Sequence, residues 1–240
     1  MLKKALVTGS AMGIGKAIAL HLASRGFDIA FQYRNSEVAA KEGSEVAAKQ
    51  GVKAVALQAD VTKPEQAKWL VDNAAQQLGG LSVVVNAVGN FLEEKPTSEM
   101  QVSEWLEVLD SNLNATFYVT QAAIPHLKTA NGGRIVNFGS ASAHHTVAHK
   151  LTTPYMIAKT GVIVYTKSLA KELAKDRITA NIVSPGVAEN SVGLEEIIPL
   201  LPMKRPATLQ EISNAVYFFV SPESEYITGQ VLEVAGAWRV

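Results

Sequence analysis

Residues 8–15 read Thr8-Gly9-Ser10-Ala11-Met12-Gly13-Ile14-Gly15 and stand directly after the short apolar run Ala5–Val7. The segment that follows has the period of a helix, because apolar side chains recur on one face at Ile14, Ala17, Ile18 and Leu22. A strand, a glycine turn and a helix with one apolar face are the start of a βαβ unit. This order predicts a parallel sheet against which the helix packs.

The same alternation continues to the end of the chain. Short β-rich runs, separated by helical segments, lie at Ala5–Val7, Ile29–Tyr33, Ala54–Leu57, Leu81–Asn86, Arg134–Phe138, Ala180–Val183 and Val231–Val234. The early runs are almost entirely apolar, as expected where helices cover both faces of a sheet. We therefore predict an α/β protein with a single Rossmann domain over residues 1–240, a doubly wound sheet of seven parallel strands, and a short substrate lid at about 187–205.

The composition excludes several classes of function. The 22 basic residues balance the 22 acidic ones, so we expect neither nucleic acid nor a membrane as a partner. The chain has no cysteine, which rules out disulfides, thiolate metal sites and a cysteine nucleophile. The apolar stretch after Lys4 is too short for a secretion signal or a membrane span, which favours a cytoplasmic protein.

The glycines of residues 8–15 suit the binding of a phosphate group. Glycine lets the backbone turn tightly and approach a phosphate without a Cβ, while the helix that follows offers free N–H groups and the positive end of its dipole. The spacing is G-x-x-x-G-x-G, not the more common dinucleotide spacing G-x-G-x-x-G. Taken alone, the motif also fits a tight turn that binds nothing.

The end of the second predicted strand bears on the choice of dinucleotide. An acidic side chain at this point would accept hydrogen bonds from a ribose 2′-hydroxyl and repel a 2′-phosphate. The sequence instead has Arg34, Asn35 and Ser36, a cation followed by two neutral donors. This pattern favours NADPH over NADH, although Arg34 also fits an ordinary solvated loop residue.

Tyr155 and Lys159 are four residues apart in a helical segment that follows Pro154, a residue tolerated in a first helical turn. At this spacing both side chains lie on one helix face, so the ammonium can stabilise a tyrosinate and lower the tyrosine pKa. The pair is a candidate proton donor. It is also a frequent coincidence on exposed helices.

Together these motifs resemble the short-chain dehydrogenase/reductase family in order and spacing, over almost the whole chain. The resemblance is carried by residues 8–15, Asn86-Ala87-Val88-Gly89, Asn112, residues 133–140, Tyr155 with Lys159, and Pro185-Gly186. It implies a reductase that moves hydride from NADP(H) to a carbonyl carbon. It also implies a homotetramer or homodimer, although the usual acidic-glycine-glycine ending stands here as Ala235-Gly236-Ala237.

The resemblance also implies roles for individual residues. Tyr155 would be the general acid, Lys159 would lower its pKa and hold the nicotinamide ribose, and Asn112 would bind a water in the proton relay. Contacts with the cofactor would come from Gly9, Ser10, Met12, Gly13, Ile14, Gly15, Arg34, Asn35, Ser36, Asp60, Val61, Asn86, Ala87, Gly89, Tyr155, Lys159, Pro185, Gly186 and Val187. Asp60 equally fits a turn residue before a helix that starts near Pro64, and Asn86 fits a structural role.

Two serines compete as the residue that polarises the substrate carbonyl. The strand pattern of the family places it at Ser140, whereas the usual spacing from the tyrosine places it at Ser142. We prefer Ser140, because a strand fixes position more directly than a loop length does. His144, His145 and His149 in the intervening loop lack carboxylate or thiolate companions at ligand spacing, so we predict no metal site.

The substrate is less defined than the chemistry. The chain resembles the 3-oxoacyl-[acyl-carrier-protein] reductases most, which implies an acyl-thioester or other small-molecule substrate. A pterin reductase is an alternative, and a non-catalytic dinucleotide sensor is another. After Pro185-Gly186 the family often has a threonine that reaches the nicotinamide amide, and Asn190 is the candidate for that contact here.

Overall fold

Strands β1 (Lys4–Val7) and β4 (Val83–Asn86) are neighbours inside a seven-stranded, entirely parallel sheet in the computed structural model, which describes residues 2–92, 94–145 and 148–239. The other strands are β2 (Asp28–Tyr33), β3 (Ala54–Gln58), β5 (Gly133–Phe138), β6 (Ile178–Pro185) and β7 (Val231–Val234). Their order is β3-β2-β1-β4-β5-β6-β7. The direction of winding reverses between β1 and β4, and open α/β sheets bind ligands at such a switch point.

The described part of the chain contains eight α-helices. They are α1 (Gly13–Ser24), α2 (Glu37–Ala48), α3 (Pro64–Leu78), α4 (Val102–Leu109), α5 (Ala115–Thr129), α6 (Thr153–Leu173), α7 (Leu194–Ile197) and α8 (Leu209–Val220). Helices α1 and α8 pack on one face, and α3, α5 and α6 on the other. None of the helices in these residues is both long and apolar enough to cross a membrane.

Alternation along the central strands explains why both faces need a helical layer. Leu6 and Val84 point into the core beneath α3 and α5, whereas Val7 and Val85 point into the core beneath α1 and α8. All four side chains are fully buried. The predicted α/β class and the doubly wound parallel sheet are therefore confirmed.

Several predicted boundaries were wrong by a few residues. The fourth strand begins at Val83, not Leu81, and the sixth runs over Ile178–Pro185, well beyond Ala180–Val183. The sixth run looked short because the polar residues Thr179 and Ser184 flank it, yet both are buried in the sheet. On α1, Ile18 and Leu22 are fully buried as expected.

Candidate active site

The nucleotide turn, residues 8–15, lies at the carboxyl end of β1 beside the switch point. Gly9 and Gly13 have φ angles of +65° and +54°, in the left-handed region that favours glycine. A Cβ on Gly15 would lie 2.3 Å from the Gly9 carbonyl oxygen, so no larger residue fits there. The turn thus exposes the backbone and the N-terminus of α1, as anion binding requires.

Gln32 holds this turn in place, and the sequence analysis did not identify it. Its Oε1 accepts a hydrogen bond from the Gly9 amide at 2.6 Å, and its Nε2 donates to the Ala59 carbonyl at 2.7 Å. Ser10 is fully buried, and its hydroxyl donates to the Val7 carbonyl at 2.7 Å. The sequence offered one signal for this role, namely that Gln32 is a polar residue within the apolar run of β2.

At the end of β2, Arg34 and Asn35 are exposed and Ser36 is half-buried. Asp60 lies near this group. Burial opposes ionisation of the Asp60 carboxyl, but hydrogen bonds from Thr62 and the positive charge of Arg34 outweigh it and lower its pKa. Because they are at least partly exposed, Arg34, Asn35 and Ser36 are accessible to a ligand at this edge of the sheet.

Asp60 also performs the structural role considered for it. Its Oδ1 accepts hydrogen bonds from the Thr62 amide at 3.0 Å and from the Thr62 hydroxyl at 2.7 Å. The Asp60 amide donates to Gln66 at 2.7 Å. These contacts form the turn before α3, which begins at Pro64 as predicted. The adjacent Val61 is buried.

Asn86 ties the end of β4 to its neighbours. Its side-chain amide donates to Thr120 at 2.9 Å and to Asn137 at 2.8 Å. Asn137 in turn donates to the Thr166 hydroxyl on α6 at 2.8 Å, and that hydroxyl donates to the Val162 carbonyl at 2.7 Å. This polar chain connects β4, β5 and α6 directly beneath the site. Next to it, the Ala87 amide donates to Thr8 at 3.0 Å.

The four residues predicted to be catalytic come together where β5 ends and α6 begins. We refer to Asn112, Ser140, Tyr155 and Lys159 as the catalytic cluster, after that predicted role. Pro154 stands in the first turn of α6, so Tyr155 and Lys159 face the sheet one turn apart. The Ser140 hydroxyl lies close enough to the Tyr155 hydroxyl to act on the tyrosine pKa. The Lys159 ammonium donates to the Phe138 carbonyl at 3.1 Å and lies 5.5 Å from the centre of the Tyr155 ring.

The electrostatics of this pair differ from the simple expectation. Burial raises the pKa of Tyr155, while the nearby Ser140 hydroxyl acts in the opposite direction. Burial also lowers the pKa of Lys159 to about 8. The expected dominance of the lysine charge over the tyrosine pKa is therefore wrong for this arrangement, because desolvation is the larger effect. Tyr155 is held in its protonated form.

The two candidate serines lie in different environments. Ser140 is half-buried and contacts Tyr155. Ser142 is buried, has a φ of +66°, and donates its amide to Glu233 on β7 at 2.8 Å. Its hydroxyl has no hydrogen-bond partner among the described residues. The geometry thus brings Ser140, not Ser142, to the tyrosine.

Asn112 lies in a π-helical turn, Asp110–Asn114, which joins α4 to α5. Such turns occur frequently at functional sites. The Asn112 amide group donates to the Asn90 carbonyl at 2.9 Å and to the Val108 carbonyl at 3.0 Å. A Cβ on Gly89 would lie 2.3 Å from Asn112 Oδ1 and 3.3 Å from Lys159 Nζ. The glycine therefore leaves the amide oxygen and the ammonium facing the same small space.

Residues 187–205 contain α7 and are anchored at their base by a parallel bridge between Ala188 and Ala207. Gly186 lets β6 pass close to the C-terminal segment, since its Cβ would be 3.0 Å from the Ala235 Cα. The Asn190 Nδ2 lies 2.9 Å from the position of a Cβ on Gly13. Asn190 therefore reaches over the nucleotide turn.

A small apolar cleft of about 20 Å³ opens beside the Tyr155 ring. Its apolar lining residues include Phe91, Leu92, Met100, Val108, Leu151 and Pro154. The Phe91 ring packs edge-on against Tyr155, with centroids 5.1 Å apart. At one side of the cleft Lys95 pairs with Glu104 at 2.6 Å.

The loop histidines do not gather into a metal centre. His144 Nδ1 lies 3.2 Å from the Glu233 carboxylate, and the His144 and His145 rings are 3.8 Å apart. Within residues 2–92, 94–145 and 148–239, no group of three or more histidine, aspartate or glutamate side chains could hold a metal ion. Two residues of this loop, Thr146 and Val147, lie outside the described part.

The chain is similar over nearly its whole length to a known protein family and to curated proteins. A family model described as enoyl-(acyl carrier protein) reductase matches residues 9–237. The 3-oxoacyl-[acyl-carrier-protein] reductase FabG of Staphylococcus aureus is 35% identical over 243 aligned residues, which cover 98% of this chain and 98% of that protein.

Solved structures agree with the sequence relatives. A blue fluorescent protein from a metagenomic library, in complex with NADPH, has a TM-score of 0.92 and 33% identity, with coverage of 99% of this chain and 98% of that one. A short chain dehydrogenase from Burkholderia cenocepacia, in complex with NADP, has a TM-score of 0.91 and 32% identity, with coverage of 98% and 96%.

Proposed function

Because the chain belongs to the short-chain dehydrogenase/reductase family, we propose that it reduces a carbonyl group with NADPH and that Tyr155 is the proton donor. The observation that carries this proposal is the contact between Ser140 and Tyr155, with Lys159 beneath them, at the same sheet edge as the nucleotide turn. A protein that only binds a dinucleotide needs the turn but not this cluster.

In this proposal, each member of the catalytic cluster moves or stabilises charge. When bound, NADPH supplies the hydride that forms the new C–H bond at the carbonyl carbon. The Ser140 hydroxyl donates a hydrogen bond to the carbonyl oxygen as negative charge develops, and the Tyr155 hydroxyl transfers its proton to that oxygen. A tyrosine whose pKa is raised by burial is protonated before reaction, as a general acid must be.

The proton must then return to Tyr155. Lys159, with a pKa of about 8, can give up a proton near neutral pH, which an exposed lysine rarely does. Asn112 Oδ1 is buried without a hydrogen-bond partner in the described residues and faces the space beside Gly89. We assign Asn112 to a relay in which a water in this space connects the ammonium to solvent.

The residues around the nucleotide turn fit a dinucleotide with a 2′-phosphate. Gly9, Gly13 and Gly15 supply a turn that Cβ atoms would fill, and Arg34 supplies an exposed cation where no carboxylate from β2 competes. We therefore assign NADPH as the preferred cofactor. Two structurally similar proteins were solved with NADPH or NADP, which supports this choice.

Measuring Arg34→Ala tests the cofactor assignment. The variant should lose about tenfold or more in kcat/KM for NADPH while its kcat/KM for NADH stays unchanged, because only the 2′-phosphate needs the guanidinium. Lys16→Ala, a cation on the adjacent helix, is the matched control. A wild-type enzyme that prefers NADH would contradict the assignment.

For the substrate we propose a 3-oxoacyl thioester. Curated relatives such as the Staphylococcus aureus protein are named for that reaction, and the cleft beside Tyr155 offers an apolar wall suited to an acyl chain. The apolar lining is less suited to a polar pterin ring. The lid at 187–205 would cover the thioester from the other side.

The proposed function is tested by following NADPH oxidation at 340 nm with purified protein. An acetoacetyl thioester should be reduced, whereas a crotonyl thioester, a quinone, an aldehyde and a dihydropterin should react more slowly. Fast reduction of the crotonyl thioester would show that the enzyme reduces a carbon–carbon double bond and would contradict carbonyl reduction as its function. Tight NADPH binding without turnover of any compound would favour a sensor.

We also propose that the enzyme is a cytoplasmic homotetramer built from a single domain. Apolar side chains at Phe117 on α5 and at Ile157 and Val164 on α6 are exposed in the isolated chain. A second copy of the chain would bury them. Light scattering after size exclusion should give four times the 25.6 kDa chain mass, and Val164→Glu should shift the protein to smaller species.

A further inference from the structure

Glu233 on β7 contacts the loop that follows β5 and carries Ser140, although β6 lies between β5 and β7 in the sheet. Its Oε1 accepts a hydrogen bond from the Ser142 amide at 2.8 Å and lies 3.2 Å from Nδ1 of His144. The glutamate side chain is only 16% exposed. Burying a carboxylate is unfavourable unless it is paired, so these two contacts are what stabilise it in this position.

The contact occurs where the backbone hydrogen bonds between the loop and β6 end. The Gly139 amide donates to the Val183 carbonyl at 2.9 Å, and the Ala141 amide donates to the Pro185 carbonyl at 3.0 Å. At Ser142 the backbone turns into the left-handed region, which a residue other than glycine adopts only when its surroundings hold it there. The Glu233 carboxylate accepts the amide of that residue.

We propose that Glu233 is a positioning residue for Ser140. Its carboxylate fixes the turn at Ser142, two residues beyond Ser140, and holds His144 on the other side of the same turn. This turn orients the Ser140 hydroxyl towards Tyr155. This proposal rests on the proposed function only in taking Ser140 as the group that polarises the carbonyl.

Two substitutions separate the hydrogen bond from the charge. Glu233→Gln keeps an oxygen that can accept from the Ser142 amide but removes the negative charge beside His144. Glu233→Ala removes both. His144→Ala removes only the second contact, and His145→Ala is its matched control, since the neighbouring ring packs on His144 and lies one residue farther from the turn.

The measurement is kcat with the acetoacetyl thioester, together with the NADPH dissociation constant. Glu233→Ala should lower kcat by about tenfold to a hundredfold, because small displacements of a catalytic group are costly, with NADPH binding unchanged. Glu233→Gln should lose less than Glu233→Ala, and His145→Ala should match the wild type. An unchanged kcat in Glu233→Ala would overturn the proposal, and so would a parallel loss of NADPH binding and melting temperature.

A readout that does not need turnover keeps this test separate from the proposed function. Hydrogen exchange of the Ser142 amide, followed by NMR, should be faster in Glu233→Ala than in the wild type and close to wild type in Glu233→Gln. A wild-type protein that binds NADPH but reduces nothing would count against the proposed function alone. Equal exchange rates in all three proteins would count against the role of Glu233.

Discussion

The nucleotide turn and the catalytic cluster lie at the same sheet edge but are built differently. In the turn, polar groups find partners within the first part of the chain, as when Gln32 accepts from the Gly9 amide. In the cluster, burial shifts the pKa values of Tyr155 and Lys159, and Asn112 Oδ1 has no partner among the described residues. Hydrogen bonds within the chain thus hold the nucleotide turn in shape, whereas the cluster contains buried polar side chains whose hydrogen bonding is incomplete.

The largest effect should come from the cluster. Tyr155→Phe removes the proposed proton donor and keeps the ring that packs against Phe91. We expect kcat to fall about 10²- to 10⁴-fold, the usual contribution of a positioned general acid, with NADPH binding retained. Stopped-flow reduction and NADPH titration measure the two quantities. A variant that also lost NADPH binding would contradict the separation of proton transfer, in the cluster, from cofactor binding, in the turn.

A second test compares the two serines within the cluster. Ser140→Ala should lower kcat by about 10²- to 10³-fold, in the range seen for loss of one oxyanion donor. Ser142→Ala should have a much smaller effect, because its hydroxyl makes no contact with Tyr155 in the described structure. Steady-state kinetics of both variants decide the matter, and the reverse order of losses would move the assignment to Ser142.

The turn should respond in the opposite way. Gly15→Ala places a Cβ against the Gly9 carbonyl, so the turn must shift. We expect NADPH affinity to fall at least about tenfold and the free energy of unfolding to fall by about 2 kcal/mol, as in other overpacked sites. Gly51→Ala is the control, since its φ of +86° adds strain far from any contact. Calorimetry should show normal NADPH affinity for that control.

The last test concerns pH. The pKa of Lys159 is lowered to about 8 in the folded protein from 10.5, so the folded state binds this proton less tightly than the unfolded state. Its burial therefore destabilises the protein fully below pH 8, and this penalty of about 3 kcal/mol disappears as pH rises from 8 to 10.5.

Urea unfolding across this pH range measures the effect. Lys159→Met should abolish the rise in stability that this group contributes, whereas Lys167→Met, at an exposed position of the same helix, should keep it. In activity, kcat/KM for NADPH should decrease above about pH 8 as Lys159 loses its proton. Identical stability profiles for wild type and Lys159→Met would show that the ammonium is not desolvated.

The sequence sufficed where the information is local. The strand, turn and helix around residues 8–15 are contiguous, and four-residue spacing alone places Tyr155 and Lys159 on one face of a helix. It failed where distant residues meet. Neither the contact between Glu233 and Ser142 nor the effect of burial on the Tyr155 pKa follows from spacing, because both depend on how the layers pack.

The polar chain from Asn86 through Asn137 to Thr166 has a consequence for folding. Helix α6 cannot slide or rotate against β5 without leaving a buried amide unpaired, so its register is fixed about three turns from Tyr155. The arrangement of side chains around Tyr155 therefore forms at the same time as α6 docks against the sheet. We expect recovery of activity during refolding to coincide with formation of the native core and to show no active intermediate.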